Sequence, residues 1–204
     1  EGDKPAKKAF KAYPIGFFHI DIAEVQTAQG KLFLFVAIDR TSKFAFAKLA
    51  EKANRVTASA FLTALIEAVP YKIHTVLTDN GIQFTFPPRY ADGPTARYAT
   101  HMFDMRCREH GIEHRLTKPN HPWTNGQVER MNRTLKEATV RRYHYETHDQ
   151  LREHLDTFLA AYNFAKRLKT LKGFTPYEYI CKCWTENPDQ FRLDPIHHKL
   201  GLNS

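Results

Sequence analysis

The chain has 204 residues, which is enough for one domain with a sizeable apolar core. Its hydrophobic and charged fractions, 42% and 25%, are ordinary for a globular protein. No apolar run reaches the roughly 18 residues that a membrane-spanning helix requires. The 30 Lys and Arg against 22 Asp and Glu leave a net charge of +8. This excess favours polyanionic partners, with nucleic acid as the first candidate.

Cysteine usage and the chain ends give a first division of the sequence. The 3 cysteines are an odd number, which argues against a disulfide framework and for a reducing compartment such as the bacterial cytoplasm.

Residues 1–14 carry Lys, Ala and Pro without a sustained period and are predicted to be a linker. We expect one core domain over residues 15–170 and a C-terminal extension with a short helix over residues 171–204.

The first third of the chain predicts a three-stranded antiparallel meander followed by a helix. Apolar residues alternate from Phe17 to Val25, and two apolar runs at residues 31–39 and 43–49 follow after short links. The second run is apolar throughout and is predicted to be the middle strand. Residues 56–69 have apolar side chains at helical spacing and stop before Pro70, which predicts a helix packed on the sheet.

The next segment predicts a strand that ends in a tight turn. Residues 73–77 form a short apolar run that leads into Asp79, Asn80 and Gly81. The pattern predicts a tight turn here, in which the Asn-Gly pair tolerates left-handed dihedrals. The pattern then predicts a Pro/Gly-rich loop, a helix closed by a glycine, and a short strand, at residues 85–95, 96–110 and 113–116.

A third helix carries an acidic residue beside a basic row. Thr124 and Gln127 have the spacing of a capping box. An apolar stripe follows at i, i+3, i+7 and i+10, made of Val128, Met131, Leu135 and Ala138. Glu129 lies one residue past the start of this stripe, and Asn132, Arg133 and Lys136 share its side of the helix.

Two more helices are predicted, near residues 149–165 and from Thr175 onward. The resulting order of strands and helices indicates an α/β fold, with a mixed sheet covered by helices on its faces.

Three carboxylates lie where rigid backbone can hold them together. Asp21 is on an inner strand, Asp79 follows another strand, and Glu129 is near the start of a helix. Carboxylate oxygens are the ligands that Mg²⁺ prefers. Two such ions, about 3.5–4 Å apart, can activate the attacking oxygen and stabilise the leaving oxygen at phosphorus. The three acids therefore favour metal-dependent phosphodiester chemistry.

The acids lie within three stretches, FFHIDIAEV, VLTDNGIQFT and KPNHPWTNGQVERMNRTLKEA. These resemble the three signature blocks of the retroviral-integrase superfamily, in particular the integrase core of bacterial insertion-sequence transposases. The third block is the most specific, because its series of Pro, Asn-Gly and Glu-Arg at fixed spacing is hard to meet by chance. The resemblance covers residues from about 15 to about 180.

The resemblance implies an RNase H-like fold, with a five-stranded mixed sheet flanked by helices. It implies a catalytic DDE triad of Asp21, Asp79 and Glu129 that binds Mg²⁺ or Mn²⁺, with two ions when DNA is bound. The implied reaction is cleavage at a transposon end followed by strand transfer into target DNA, by a homodimer or a higher oligomer without a membrane partner.

The same resemblance implies three DNA contacts. Arg133 and Lys136 match positions where similar proteins use basic residues to grip a transposon or viral DNA end, and Asn125 matches a polar contact to that DNA. From the residues alone, Arg133 and Lys136 also fit a solvated helix face.

Simpler interpretations of the other candidates stay open at this stage. Asp21 on an alternating strand is also compatible with a solvent-facing residue, and Asp79 with an Asx-turn residue. Asp39 is interpreted as structural and His19 as a packing neighbour. A zinc site formed by Cys181, Cys183 and the pair His197–His198 has poor spacing.

The rival functions are an RNase H-like hydrolytic nuclease and a catalytically inactive DNA-binding or assembly module derived from a transposase.

Overall fold

A computed structural model of the chain describes residues 13–87, 100–117 and 126–197. The strands are β1 (Phe17–Thr27), β2 (Gly30–Asp39), β3 (Ala45–Ala50), β4 (Thr75–Thr78) and β5 (Glu113–Leu116). The helices are α1 (Arg55–Ala68), α2 (Met102–Glu109), α3 (Gly126–Ala138), α4 (His148–Phe164) and α5 (Pro176–Glu186). Short 3₁₀ turns follow α4 and α5, at Lys169–Leu171 and Pro188–Gln190.

The five strands form one mixed sheet in the order β3-β2-β1-β4-β5. β1, β2 and β3 are antiparallel neighbours, which confirms the predicted meander with its second strand in the middle. β4 pairs in parallel with both β1 and β5. The predicted five-stranded mixed sheet with flanking helices is therefore confirmed.

Helices cover both faces of the sheet, and each face has its own apolar cluster. On one face, Phe18 and Ile20 of β1 pack with the buried sides of α1, α2 and α5. On the other face, Leu34 and Val36 of β2 pack with the buried sides of α3 and α4. Because side chains alternate along a strand, the odd-numbered Asp21 lies on the α3 side of β1.

Local capping explains most of the helix boundaries. Asn54 accepts hydrogen bonds from the backbone N–H groups of Val56 and Thr57, so α1 begins at Arg55, one residue before the predicted start. Thr175 and Glu178 form a capping box that begins α5, as the Thr-Pro start predicts. α2 begins only at Met102, because the His101 ring accepts from the backbone of Phe103 and caps the helix there.

Other predictions lie outside the described residues. These are the linker except for its last two residues, the later part of the Pro/Gly-rich loop, the first residues predicted for α2, and the capping Thr124.

The segment after residue 171 packs into the first apolar cluster. Ile180 of α5 is fully buried there, and Phe191 forms an isolated β-bridge with Tyr71. The Arg192 guanidinium donates to the carbonyl oxygens of Ile66 and Val69 at the end of α1. No helix in the described part of the chain has the length and apolar character needed to span a bilayer.

Asp39, at the end of β2, organises the turn into β3. Its side chain is fully buried and accepts from the backbone N–H groups of Gly16, Thr41 and Ser42, at 2.8, 2.7 and 2.9 Å. Burial raises the pKa of this carboxyl, although the three N–H donors counteract part of the effect. The structure thus gives Asp39 a structural role.

Replacing Asp39 is expected to destabilise the fold. Asp39→Ala leaves three backbone N–H groups without an acceptor, and an unsatisfied buried donor costs about 1–3 kcal/mol. We expect urea unfolding to show a loss of at least about 3 kcal/mol in the free energy of unfolding. Asp39→Asn keeps one acceptor oxygen and should lose less. An Ala variant as stable as the parent protein would contradict the role assigned to this side chain.

Candidate active site

Asp21 lies in the middle of β1 and faces α3. It is half-buried, and its neighbour on β2 is Val36. The Asn132 amide on α3 donates to Asp21 Oδ2 at 2.5 Å, which ties this strand to the helix. Asp21 is therefore more than a solvent-facing residue, because it is half-buried and hydrogen-bonded to α3.

Asp79 follows β4 directly and is exposed. β1 and β4 are parallel, with His19 paired to Leu77, so two further residues along each strand lead to Asp21 and Asp79 at the same end of the sheet. The backbone N–H of Gly81 donates to Asp79 Oδ1 at 3.0 Å, which is an Asx turn.

Neither Asn80 nor Gly81 has a positive φ, so this turn does not use the left-handed backbone that an Asn-Gly pair tolerates. A side chain at position 81 would crowd two neighbouring side chains. A Cβ there would lie 3.0 Å from Asp79 Oδ1 and 2.5 Å from Gln83 Oε1. The missing side chain thus makes room for the Asp79 carboxylate.

A buried polar network holds the backbone at Asp79 from β5 and α2. The Thr78 hydroxyl donates to the carbonyl oxygen of Asp79 at 2.9 Å. His114 lies behind it, with Nε2 2.9 Å from Thr78 Oγ1 and Nδ1 2.5 Å from Asp104 Oδ1. Burial alone would raise the pKa of Asp104, but the hydrogen bond and charge of His114 lower it below its ordinary value.

Glu129 is exposed in the first turn of α3, and its charge reaches Asp21. The pKa of Asp21 is raised mainly by burial, and the negative charges of Asp79 and Glu129 raise it further. Hydrogen bonds from the Ile22 backbone and from Asn132 counteract part of this rise. The three predicted acids are therefore close enough to interact electrostatically at one end of the sheet.

The donor set around Asp21 has the chemistry that a hard divalent cation requires. All three acids offer carboxylate oxygens, and Asn132 Oδ1 is buried without a hydrogen-bond partner among the described residues. Within residues 13–87, 100–117 and 126–197, no group of three His, Cys, Asp or Glu side chains is arranged to hold an ion. Mg²⁺ commonly takes one or two carboxylates and completes its shell with water and phosphate oxygens.

The predicted DNA-contact residues differ in their surroundings. Arg133 is exposed on α3, whereas Lys136 is half-buried. Lys136 lines a shallow cavity of about 360 Å³ between α3 and the β1-β2 hairpin, together with Lys31 and Arg141. Asn125 lies outside the described residues.

Two remaining candidates do not join this site. His19 is buried and contacts the Phe17 ring, with ring centroids 5.4 Å apart. Cys181 and Cys183 are free cysteines on α5 and belong to no metal-binding group among the described residues. His198, the last member of that predicted set, is outside the described residues.

Sequence reasoning missed Asn132 and the network behind Asp79 as parts of the site. Asn132 had one available signal, because it lies one helical turn after Glu129 on the same side of α3. Thr78, His114 and Asp104 offered none, because only the pairing of β4 with β5 and the packing of α2 bring them together.

Family models match most of the described chain. An integrase core domain model matches residues 12–122, and a second integrase core domain model matches residues 110–176.

An uncharacterised protein of Caenorhabditis elegans is 29% identical over 161 residues, which are 78% of this chain and 11% of that protein. The transposase for insertion sequence element IS904 of Lactococcus lactis is 24% identical over 165 residues, which are 77% of this chain. The chain spans 60% of that transposase.

Solved retroviral structures share the fold. The catalytic core domain of BIV integrase superimposes with a TM-score of 0.60 at 20% identity, covering 85% of this chain and 97% of that one. The HTLV-2 integrase catalytic core domain in complex with magnesium has a TM-score of 0.60 at 17% identity, covering 81% and 95%. A chain of the simian T-cell lymphotropic virus intasome has a TM-score of 0.65 at 22% identity, covering 82% and 54%.

The sheet order, the helices on both faces and these matches agree with one another. The chain belongs to the integrase core domain family, and its fold is the RNase H-like fold of an integrase-superfamily catalytic core.

Proposed function

We propose that this chain is the catalytic core of a DDE transposase, which cuts DNA at a transposon end and joins that end to target DNA. The observation that carries the proposal is geometric: the parallel pairing of β1 and β4 brings Asp21 and Asp79 to the same end of the sheet, and the Asn132 bond ties α3, the helix of Glu129, to Asp21. Carboxylates crowded in this way need a cation to offset their repulsion. The IS904 transposase relative supports the same activity.

In this proposal Asp21, Asp79 and Glu129 hold Mg²⁺ or Mn²⁺, with two ions when DNA is bound. When bound, the metal supplies the Lewis acidity that phosphodiester chemistry requires at neutral pH. The HTLV-2 integrase core in complex with magnesium supports this choice of cofactor.

The protein's own groups would orient the acids and leave room for DNA. The Asn132 amide fixes Asp21, while Thr78 and the Gly81 N–H fix the backbone and side chain of Asp79. Asp79 and Glu129 are exposed, so a scissile phosphate can approach them from solvent.

The proposed reaction has two displacements at phosphorus. In the first, water attacks a phosphodiester at the transposon end, and the broken bond leaves a free 3′-hydroxyl. In the second, that hydroxyl attacks a phosphodiester of target DNA, and the target's own 3′-oxygen leaves. Neither step requires a covalent bond to the protein.

The proposed partners are transposon-end DNA, target DNA and further copies of this chain. The proposal of further copies is supported by the HTLV-2 integrase core, which is described in trimeric and dimeric forms. We further propose the bacterial cytoplasm as the compartment, since all three cysteines are free thiols.

Neutralising Asp79 is expected to abolish metal-dependent chemistry. Asp79→Asn removes a charge that a divalent cation needs, so nicking and joining of a labelled transposon-end duplex with Mg²⁺ or Mn²⁺ should fall by at least about a hundredfold. Asp156→Asn, an exposed carboxylate on α4, is the matched control and should keep full activity. A fully active Asp79→Asn protein would exclude the assignment.

The same variant should not lose stability without metal. Asp79→Asn removes one of the charges that raise the pKa of Asp21, so its melting temperature in EDTA should equal or exceed that of the parent protein. This measurement separates a lost cation site from a lost fold. A fall of many degrees would show that Asp79 is needed for folding instead.

Joining distinguishes a transposase from a hydrolytic nuclease. The test incubates a labelled transposon-end duplex, cut back to its recessed 3′-hydroxyl, with a supercoiled target plasmid and Mn²⁺. We expect label to appear covalently attached to the plasmid. Nicked plasmid without attached label would favour a nuclease, and no product at any metal concentration would favour a non-catalytic assembly module.

Lys136 is expected to contribute to DNA affinity rather than to chemistry. Lys136→Ala should weaken binding to a DNA duplex and reduce the slope of log affinity against log salt by about 0.9, the value for one phosphate contact. Lys182→Ala is the control, because Lys182 pairs with Glu186 on α5. An unchanged slope for Lys136→Ala would contradict a phosphate contact and favour a solvated helix face.

A further inference from the structure

A second concave site lies on the other flank of α3. Glu129, Asn132, Arg133 and Lys136 share one flank of this helix, whereas Gln127, Arg130, Met131 and Thr134 share the other. The second flank forms one wall of a cavity of about 340 Å³. The rest is formed by the end of β2, the β2-β3 turn, the end of α4 and the segment that follows α4. We name this cavity the α3–α4 pocket.

The rim of the α3–α4 pocket is cationic. Lys43, Arg130 and Lys166 line it, and none of the described residues that line it is an acid. Arg130 and Lys166 are exposed. Among the ion pairs between described residues, none involves these three side chains, so their charge is available to a ligand.

Lys43 is held in place at this rim. Its ammonium group donates to the Arg40 carbonyl oxygen and, at 3.1 Å, to Gln127 Oε1 on α3. Burial lowers the pKa of Lys43, and the positive charges of Arg40 and Arg130 lower it further, although Asp39 acts in the opposite direction. An anion bound here would relieve this crowding of positive charge.

The floor of the pocket is apolar and partly aromatic. Ile38, Met131 and Tyr162 are buried residues that line it. The Lys166 ammonium lies 5.6 Å from the centroid of the Tyr162 ring. A ligand that fits both parts carries an anionic group for the rim and a less polar group for the floor.

We propose that the α3–α4 pocket binds one nucleotide of a DNA strand, with its phosphate at the cationic rim and its sugar on the apolar floor. The inference rests on the proposed function, because DNA is the polyanion that α3 would already meet on its Glu129 flank. A helix with its side chains is about 10–12 Å across. A DNA strand advances about 3.4 Å per nucleotide along the duplex axis, so about four nucleotides are enough to cross α3. The pocket would then hold DNA that lies a few nucleotides from the scissile phosphate.

Salt-dependent DNA binding tests the charge of the rim. Binding of a fluorescent DNA duplex to the full chain is measured by anisotropy in EDTA over a range of KCl concentrations. Arg130→Gln and Lys166→Gln should each weaken binding and reduce the log–log salt slope by about 0.9. The control is Arg106→Gln on α2, which packs on the face of the sheet opposite to α3. Arg106 forms an ion pair with Glu109 of the same helix, so this variant should keep the salt slope of the parent protein.

A neutral substitution tests whether the pocket itself is occupied. Thr134 lines the pocket and donates to the Arg130 carbonyl oxygen at 2.9 Å. Thr134→Trp should fill the pocket and weaken DNA binding about fivefold without a change in net charge. Thr157 makes the equivalent bond to Glu153 on the exposed side of α4, at 2.8 Å, so Thr157→Trp is a matched control and should bind as the parent does.

The outcomes separate this inference from the proposed function. The pocket assignment would be overturned if both charge variants kept the parent salt slope, or if Thr134→Trp bound DNA as the parent does. The transposase proposal would stand in that case, provided that the parent protein binds and joins DNA. Variants that bind DNA normally but change self-association in light scattering would make the pocket an interface between copies and would also overturn it. A parent protein that binds no DNA would end both proposals.

Discussion

The burial of the Asp21 carboxylate beside two further acids is the constraint on which the site depends. Asp21 is half-buried on β1, where burial and the charges of Asp79 and Glu129 disfavour its ionised form. The sheet nevertheless keeps it there, because Phe18 and Ile20 occupy the opposite face and fix which side of β1 Asp21 takes. The Asn132 hydrogen bond counteracts only part of this rise in the Asp21 pKa. In the proposed function, a bound cation would offset the rest.

Asp79 depends on a different part of the fold. Its backbone is held through Thr78 by His114 on β5, which in turn contacts Asp104 on α2. β5 lies at the edge of the sheet and pairs only with β4 among the described strands. The geometry of the site therefore depends on a short edge strand as well as on the central strand. A change in α2 packing can reach the Asp79 backbone without direct contact to Asp21, Asp79 or Glu129.

Patterns with a strong period or a local cap were sufficient to predict much of this structure. The meander follows from its apolar pattern, and the start of α5 at Pro176 follows from its cap, Thr175. The motifs also pointed to the three acids. The reason for Gly81 and the burial of Asn132 were not predictable, because each depends on a side chain brought close by tertiary packing. The same holds for His114, whose partner Thr78 is 36 residues away.

α3 combines three requirements on one helix. Val128, Met131 and Leu135 face the core, Glu129 adds negative charge to the acidic site, and Arg130, Arg133 and Lys136 place positive charge around it. Carboxylates alone would repel DNA, since both carry negative charge. In the proposed function, a net charge of +8 and cations on two flanks of α3 would attract the strand, while the acids at the centre would bind metal. If DNA and divalent cations are to bind at the same place, α3 must therefore present a basic surface around an acidic centre.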